Sequence, residues 1–236
     1  MNYSDTKHKS VKKALTLSLA GLTLAATAFG ASQVFAASTS NFRQVINPGT
    51  LTVDIVDASY VSVANPAVTF GAVTFSFSCQ TSTGNFGTTT EQIYVQNPDA
   101  ADNGWTVSLA ASGGATAFWD GTAADFDFND PSGTPAGCAD GADTDSLAGQ
   151  MTIDASGGTL AAGNCSSCTT ANITLGASAA FNEGTLDSVT LLTAAAASDD
   201  IGDFTLQDVD VSQQIPPEQP ADSTYNIDMT LSIVAS

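Results

Sequence analysis

An all-β fold, an antiparallel β-sandwich of Greek-key or Ig-like type behind a cleavable leader, is the class this sequence predicts. Three observations predict it: short runs of period-2 alternation, polar turn clusters between them, and no long amphipathic helical pattern to compete. One side of each run is polar, which fits antiparallel sheets with a solvated face better than parallel strands buried on both faces.

The elements follow in chain order. Lys7, His8, Lys9, Lys12 and Lys13 precede an apolar run from Ala14 to about Phe29, which closes on Val34-Phe35-Ala36. Charge, apolar stretch and small-x-small site in that order predict a signal peptide over 1–36, cut between Ala36 and Ala37. The run is shorter than the ~20 apolar residues of a spanning helix, and no later run reaches that length, so no membrane span is expected. Residues 37–236 are expected to form one β-sandwich domain.

Within that domain Leu51, Val53 and Ile55 alternate with Thr52 and Asp54, and Val73, Phe75 and Phe77 alternate with Thr74 and Ser76. Trp105, Val107 and Leu109 make a third stripe, and Ile227, Met229, Leu231 and Ile233 a fourth. Each puts its apolar side chains on one face of a sheet. Polar substitution at Phe75 or Leu231 is therefore expected to be damaging. Weaker strand signals lie at Gln92 to Gln96, Gln150 to Ala155, Asn172 to Leu175, Thr185 to Leu192 and Phe204 to Val211. Turns are supplied by Asn47-Pro48-Gly49, Asn97-Pro98-Asp99 and Ala155-Ser156-Gly157-Gly158. The run Ala194 to Ala197 could begin a short helix. Gly, Ala, Asp and Pro crowd the region from Trp119 to Cys168, which predicts a loop-rich insertion over 119–168 with alternation only around Met151 and Ile153. Ile215-Pro216-Pro217-Glu218-Gln219-Pro220 forbids a central strand and predicts an extended connector into the last strand.

Charge narrows the function classes. The chain has 24 acidic residues and five Lys or Arg; the leader takes Asp5 and all four lysines, leaving 23 carboxylates against Arg43 alone. Such a surface repels nucleic acid and anionic membrane. It suits a soluble exported protein, a salt-adapted one, or one that binds divalent cations.

Cys79, Cys138, Cys165 and Cys168 form an even set, which in an exported chain reads as two disulfides. Three pairings are possible. The Gly- and Ser-rich surroundings of Cys165 and Cys168 favour a tight local ring, leaving Cys79 with Cys138 as a long-range staple. A redox Cys-x-x-Cys or a metal use stays open, although Thr169-Thr170 after the pair argues for strand or turn rather than the helix a redox thiol wants.

Asp125-Phe126-Asp127-Phe128-Asn129-Asp130 sets oxygen side chains on alternate positions, as calcium loops do. An EF-hand is excluded, because it would need Gly where Asp130 stands and Glu where Ala136 stands. Asp120, Asp140, Asp143 and Asp145 could complete a calcium site if the loop folds back. The alternative is a solvated acidic loop with Phe126 and Phe128 tucked beneath it. Catalysis has little to use: residues 37–236 contain no His, no Lys and no Gly-x-Ser-x-Gly elbow, so no enzyme is expected. Of the two tryptophans, Trp105 reads as core and Trp119, beside Asp120-Gly121, as the exposed candidate for stacking on a sugar.

Read in order, Phe42 to Val53, Val68-Thr69-Phe70-Gly71, Asn103 to Leu109, then Pro216 to Pro220 and Tyr225 to Leu231 resemble the WxL family of bacterial surface proteins. Here Trp105-Thr106-Val107 and Met229-Thr230-Leu231 stand where that family has its two Trp-x-Leu motifs. The resemblance implies a protein exported from a Gram-positive cell and held non-covalently on peptidoglycan or another wall polysaccharide, with Trp105, Val107, Met229 and Leu231 as the matched binding positions. A subunit of an extracellular filament or surface layer is the second expectation, with Ala37 to Val45 adding as a strand to a neighbouring copy or other surface protein. A calcium-dependent adhesin or lectin is the third.

Overall fold

The computed structural model describes residues 43–98, 103–196 and 201–236. The leader and the cleavage pair Ala36 and Ala37 lie outside the described residues. The chain divides into two compact units, Met1–Ile46 and Asn47–Ser236. In the first unit the described residues, Arg43 to Ile46, are exposed and form no strand.

The β unit contains β1 (Thr52–Val56), β2 (Gln80–Phe86), β3 (Gln92–Asn97), β4 (Trp105–Ala111), β5 (Gln150–Asp154) and β6 (Thr159–Ala162). It continues with β7 (Ile173–Leu175), β8 (Ala179–Ala180), β9 (Ser188–Ala194), β10 (Gly202–Gln207), β11 (Val209–Ile215) and β12 (Met229–Ala235). The strands make three four-stranded sheets in the orders β1-β3-β10-β6, β2-β11-β5-β8 and β12-β4-β9-β7. Every ladder is antiparallel. There is no helix among the described residues, hence none long and apolar enough to cross a membrane.

Alternation explains the central strands directly. In β4 Trp105, Val107, Leu109 and Ala111 are buried while the residues between them are half-buried, as a two-residue period demands. Trp105 packs its ring 6.1 Å from that of Phe204 on β10. The three sheets contribute to one apolar core, which takes Ile93 and Val95 from β3, Ile153 from β5, Leu191 and Leu192 from β9, and Phe204 and Leu206 from β10. Each fully buried side chain of this size contributes about 1.5–3 kcal/mol of transfer free energy.

Several expectations are corrected. Val73, Phe75 and Phe77 form no strand; they are 43%, 49% and 77% exposed. Their alternation finds no ladder partner, and the strand lies further on, at β2. There Ser82 and Phe86 face inward and β11 supplies the hydrogen bonds along its whole length. The single run expected over Phe204 to Val211 is two strands in different sheets. Asp208 divides them in a left-handed conformation, φ 59°, which short polar side chains tolerate. The expected helix start is instead the end of β9, with Ala195 and Ala196 leaving it as coil and turn. Inside the 119–168 insertion β5 was legible, whereas β6, carried by Thr159-Leu160-Ala161-Ala162, was not.

Candidate functional site

The acidic loop folds back on itself. Asp127 donates its backbone N–H to the carbonyl of Ala148, Asp130 to that of Gly149, and Met151 to that of Phe128, so residues 127–130 run against the lead-in to β5. Phe126 and Phe128 anchor this hairpin: Phe126 stacks 5.6 Å from Trp119, and Phe128 meets Phe181 edge-on at 5.1 Å. Gly149 is required at the crossing. Its φ is +139°, and a Cβ there would lie 2.1 Å from the backbone oxygen of Asp127.

Burying the two phenylalanines forces the intervening polar residues out of water as well. Asp127, Asn129 and Asp130 are each 1% exposed, so the loop is not a solvated acidic face. Asn129 and Asp130 make hydrogen bonds within the chain. Asn129 donates its amide to Ala115 O at 2.7 Å, while Asp130 accepts the backbone N–H groups of Ser132 and Gly141 at 2.8 and 2.7 Å. Asp125 accepts from Gly121 N. Of the expected set Asp125, Asp127, Asn129 and Asp130, Asp127 is the carboxylate that clusters with other carboxylates among the described residues.

Asp127 meets partners supplied by the returning chain. One carboxylate oxygen from each of Asp127, Asp143 and Asp145 lies within 4.8 Å of the other two. Oδ1 of Asp127 accepts the Phe128 N–H at 2.7 Å, whereas its Oδ2 is buried and has no hydrogen-bond partner. Both carboxylate oxygens of Asp143 are likewise buried and unpartnered. Burial pushes Asp127 up to about 7, with Asp145 and Asp143 adding repulsion. Asp143 is raised as well, first by burial and then by Asp130 and Asp145. A buried unpaired carboxylate costs several kcal/mol unless it is neutralised or meets a cation. Oxygens held at about 2.4 Å from a calcium ion can be up to about 4.8 Å apart, which this cluster satisfies, and an all-oxygen donor set selects a hard cation. Asp120 and Asp140 do not join it.

The cysteines pair as Cys79–Cys138 and Cys165–Cys168, and no cysteine is free. Asp203 on β10 pins the smaller ring, accepting the backbone N–H groups of Asn164 and Cys165, each at 2.8 Å, and the hydroxyl of Tyr94. Burial, then that carboxylate, push Tyr94 up to about 12. Both sulfurs beside Asp203 are in the disulfide, so they are not metal ligands.

The positions matched to the Trp-x-Leu motifs fall on neighbouring strands, β4 and β12, but Trp105 lies opposite Ala235 and Leu231 opposite Leu109. Trp105 and Val107 are wholly buried, and a polymer at the surface would reach neither; the closed core leaves them no outer face. Met229 and Leu231 are half-buried and line a groove of about 550 Å³ that also touches Val53, Ile55 and Trp119. Trp119 is packed rather than displayed: its indole N–H donates to Gln213 Oε1 at 2.9 Å, and Phe70 and Phe126 cover its ring. Gln213 in turn donates to the backbone oxygen of Asp127, so the groove wall and the carboxylate cluster share one hydrogen-bonded chain. Comparison with protein-family models, with curated proteins and with solved structures finds no match to this chain.

Proposed function

We propose that this is an exported, non-catalytic surface protein, a β-sandwich whose acidic insertion is held in shape by a bound calcium ion. The observation that carries the reading is Asp127, almost wholly buried, with an unpartnered oxygen close to carboxylate oxygens of Asp143 and Asp145. The leader, the two disulfides and the near-absence of basic residues support work outside the cell. A calcium-dependent adhesin or scaffold uses such a site to fix a loop; it needs no catalytic group. Titration calorimetry of the metal-free protein with calcium tests the reading: saturable binding with one ion per chain is expected, lost in Asp127→Asn. No heat at millimolar calcium removes it.

Association with the cell wall is the second reading. The order of the sequence segments resembling WxL proteins favours it, and Met229 and Leu231 are the matched positions with any exposure. Co-sedimentation with purified sacculi is expected if it holds; protein that stays in the supernatant counts against it.

A further inference from the structure

The groove is bordered by two edge strands whose inner faces are left incomplete. β12 has a ladder partner only in β4, while β1 pairs with β3 and, at its far end, bridges to Ser62. Their inward residues, Val53 and Ile55 on β1 and Met229 and Leu231 on β12, follow the correct alternation but are only half-buried. An apolar cleft beside an unpaired strand edge provides both parts of a strand-binding site: backbone donors and acceptors in register, and pockets for alternate side chains.

The same chain carries a segment of matching character. In Ala37-Ser38-Thr39-Ser40-Asn41-Phe42-Arg43-Gln44-Val45-Ile46 the two-residue period puts Phe42 and Ile46 on one face, with Gln44 between them, and Arg43 and Val45 on the other. Val45 and Ile46 are 65% and 88% exposed. Ten extended residues reach about 33 Å, enough to run beside all of β12. Charge points to the same place. Arg43 is the sole basic residue of 37–236, and the groove is lined by Asp54, Glu91 and Asp228. Asp228 alternates with Ile227 and Met229 and so faces outward, the side on which Arg43 would fall when Phe42 and Ile46 enter.

We propose that the groove between β1 and β12 is the docking site for residues Ala37 to Ile46 of a second copy of this chain, added as a strand along the free edge of β12. Phe42 and Ile46 fill the apolar cleft, and Arg43 meets the acidic rim. Each copy then has one donor segment and one acceptor groove. Such a head-to-tail contact propagates as a filament, or as a ring where the rotation between copies closes. The inference does not depend on the calcium site, and it uses the export reading only to place the new N-terminus at Ala37.

The test uses the chain from Ala37 to Ser236, so it is independent of whether the leader is cut in the cell. Sedimentation velocity over rising concentration is expected to show a ladder of oligomers, and negative-stain images thin filaments. Ile46→Asp is expected to leave a folded monomer with its groove intact. A synthetic peptide of residues 37–46 should bind that monomer one to one, and the same peptide with Arg43→Glu at least tenfold more weakly. A wild-type chain that stays monomeric while the peptide fails to bind overturns the proposal, as do oligomers that persist unchanged in Ile46→Asp. Pairing Ile46→Cys with Met229→Cys in one chain identifies the occupant. Disulfide-linked multimers support a second copy; a cross-link confined to the monomer places the segment in its own groove and overturns it.

Discussion

The side of the core around β4 and β10 and the side around β1 and β12 are built from the same kind of sequence and end in different states. Trp105, Val107, Phe204 and Leu206 are buried completely, whereas Val53, Ile55, Met229 and Leu231 stop halfway. All eight lie in alternating runs. The difference lies in neighbours within the sheet: β4 and β10 have a strand on each flank, β1 and β12 on one only. Alternation decides which side chains face inward, and strand position decides how deeply they are covered.

The strongest test of that contrast is truncation on both sides. Trp105→Ala removes a fully buried ring and is expected to cost about 3–5 kcal/mol in urea unfolding, while Leu231→Ala costs at most about half as much. Equal losses would erase the distinction between a closed and an open side. The two disulfides differ in the same spirit. Cys79–Cys138 spans 59 residues and Cys165–Cys168 spans three. Loop-closure entropy then predicts a loss of about 4 kcal/mol when the first pair is replaced by serine and about 2 kcal/mol for the second. Chemical denaturation of the two double variants measures both.

Calcium comes next in size. At a hundredfold excess over Kd, ligand that binds only the native state adds about 2.7 kcal/mol, which raises Tm by about 5–10 °C in a chain of this length. The pH dependence sharpens it. In metal-free protein Asp127 sits near 7 rather than at its ordinary 3.8, so the native state keeps a proton that the unfolded chain gives up. Its contribution therefore falls as pH rises from about 4 to about 7, and is flat above that. Calcium should remove the fall, and Asp127→Asn should remove both the fall and the response to calcium. Thermal scans at pH 5 and 8, with and without calcium, separate these outcomes; a variant that responds like the parent sinks the site. The smallest effect is expected at Phe75. Phe75→Ser should stay within about 0.5 kcal/mol, since the ring is half exposed, lies outside any strand and meets Phe77 edge-on.

Parts of the site were readable before any fold was known. The alternation of Asp125, Asp127 and Asn129 marked the loop, and Asp143 and Asp145 stood among the residues that could complete it. The roles within the loop were not readable. Asp125 and Asp130 look as good as Asp127 in sequence, yet among the described residues it is Asp127 that clusters with Asp143 and Asp145. β2 gave no signal because its sequence, Gln80-Thr81-Ser82-Thr83-Gly84-Asn85-Phe86, has almost no apolar alternation; its place depends on β11. Val73 to Phe77 erred the other way, with a clear pattern and no ladder.

By itself the sequence determined the antiparallel all-β class, the strands β4 and β12, and the Pro-rich break between β11 and β12. These rest on local periodicity and on backbone chemistry that each residue carries wherever it lies. Tertiary structure decided which carboxylates meet and which apolar stripes are left half-covered. It also decided where one alternating run becomes two strands. Those depend on residues distant in the chain, Asp127 with Asp143 and β1 with β12, because hydrogen bonding and burial are completed by neighbours in space.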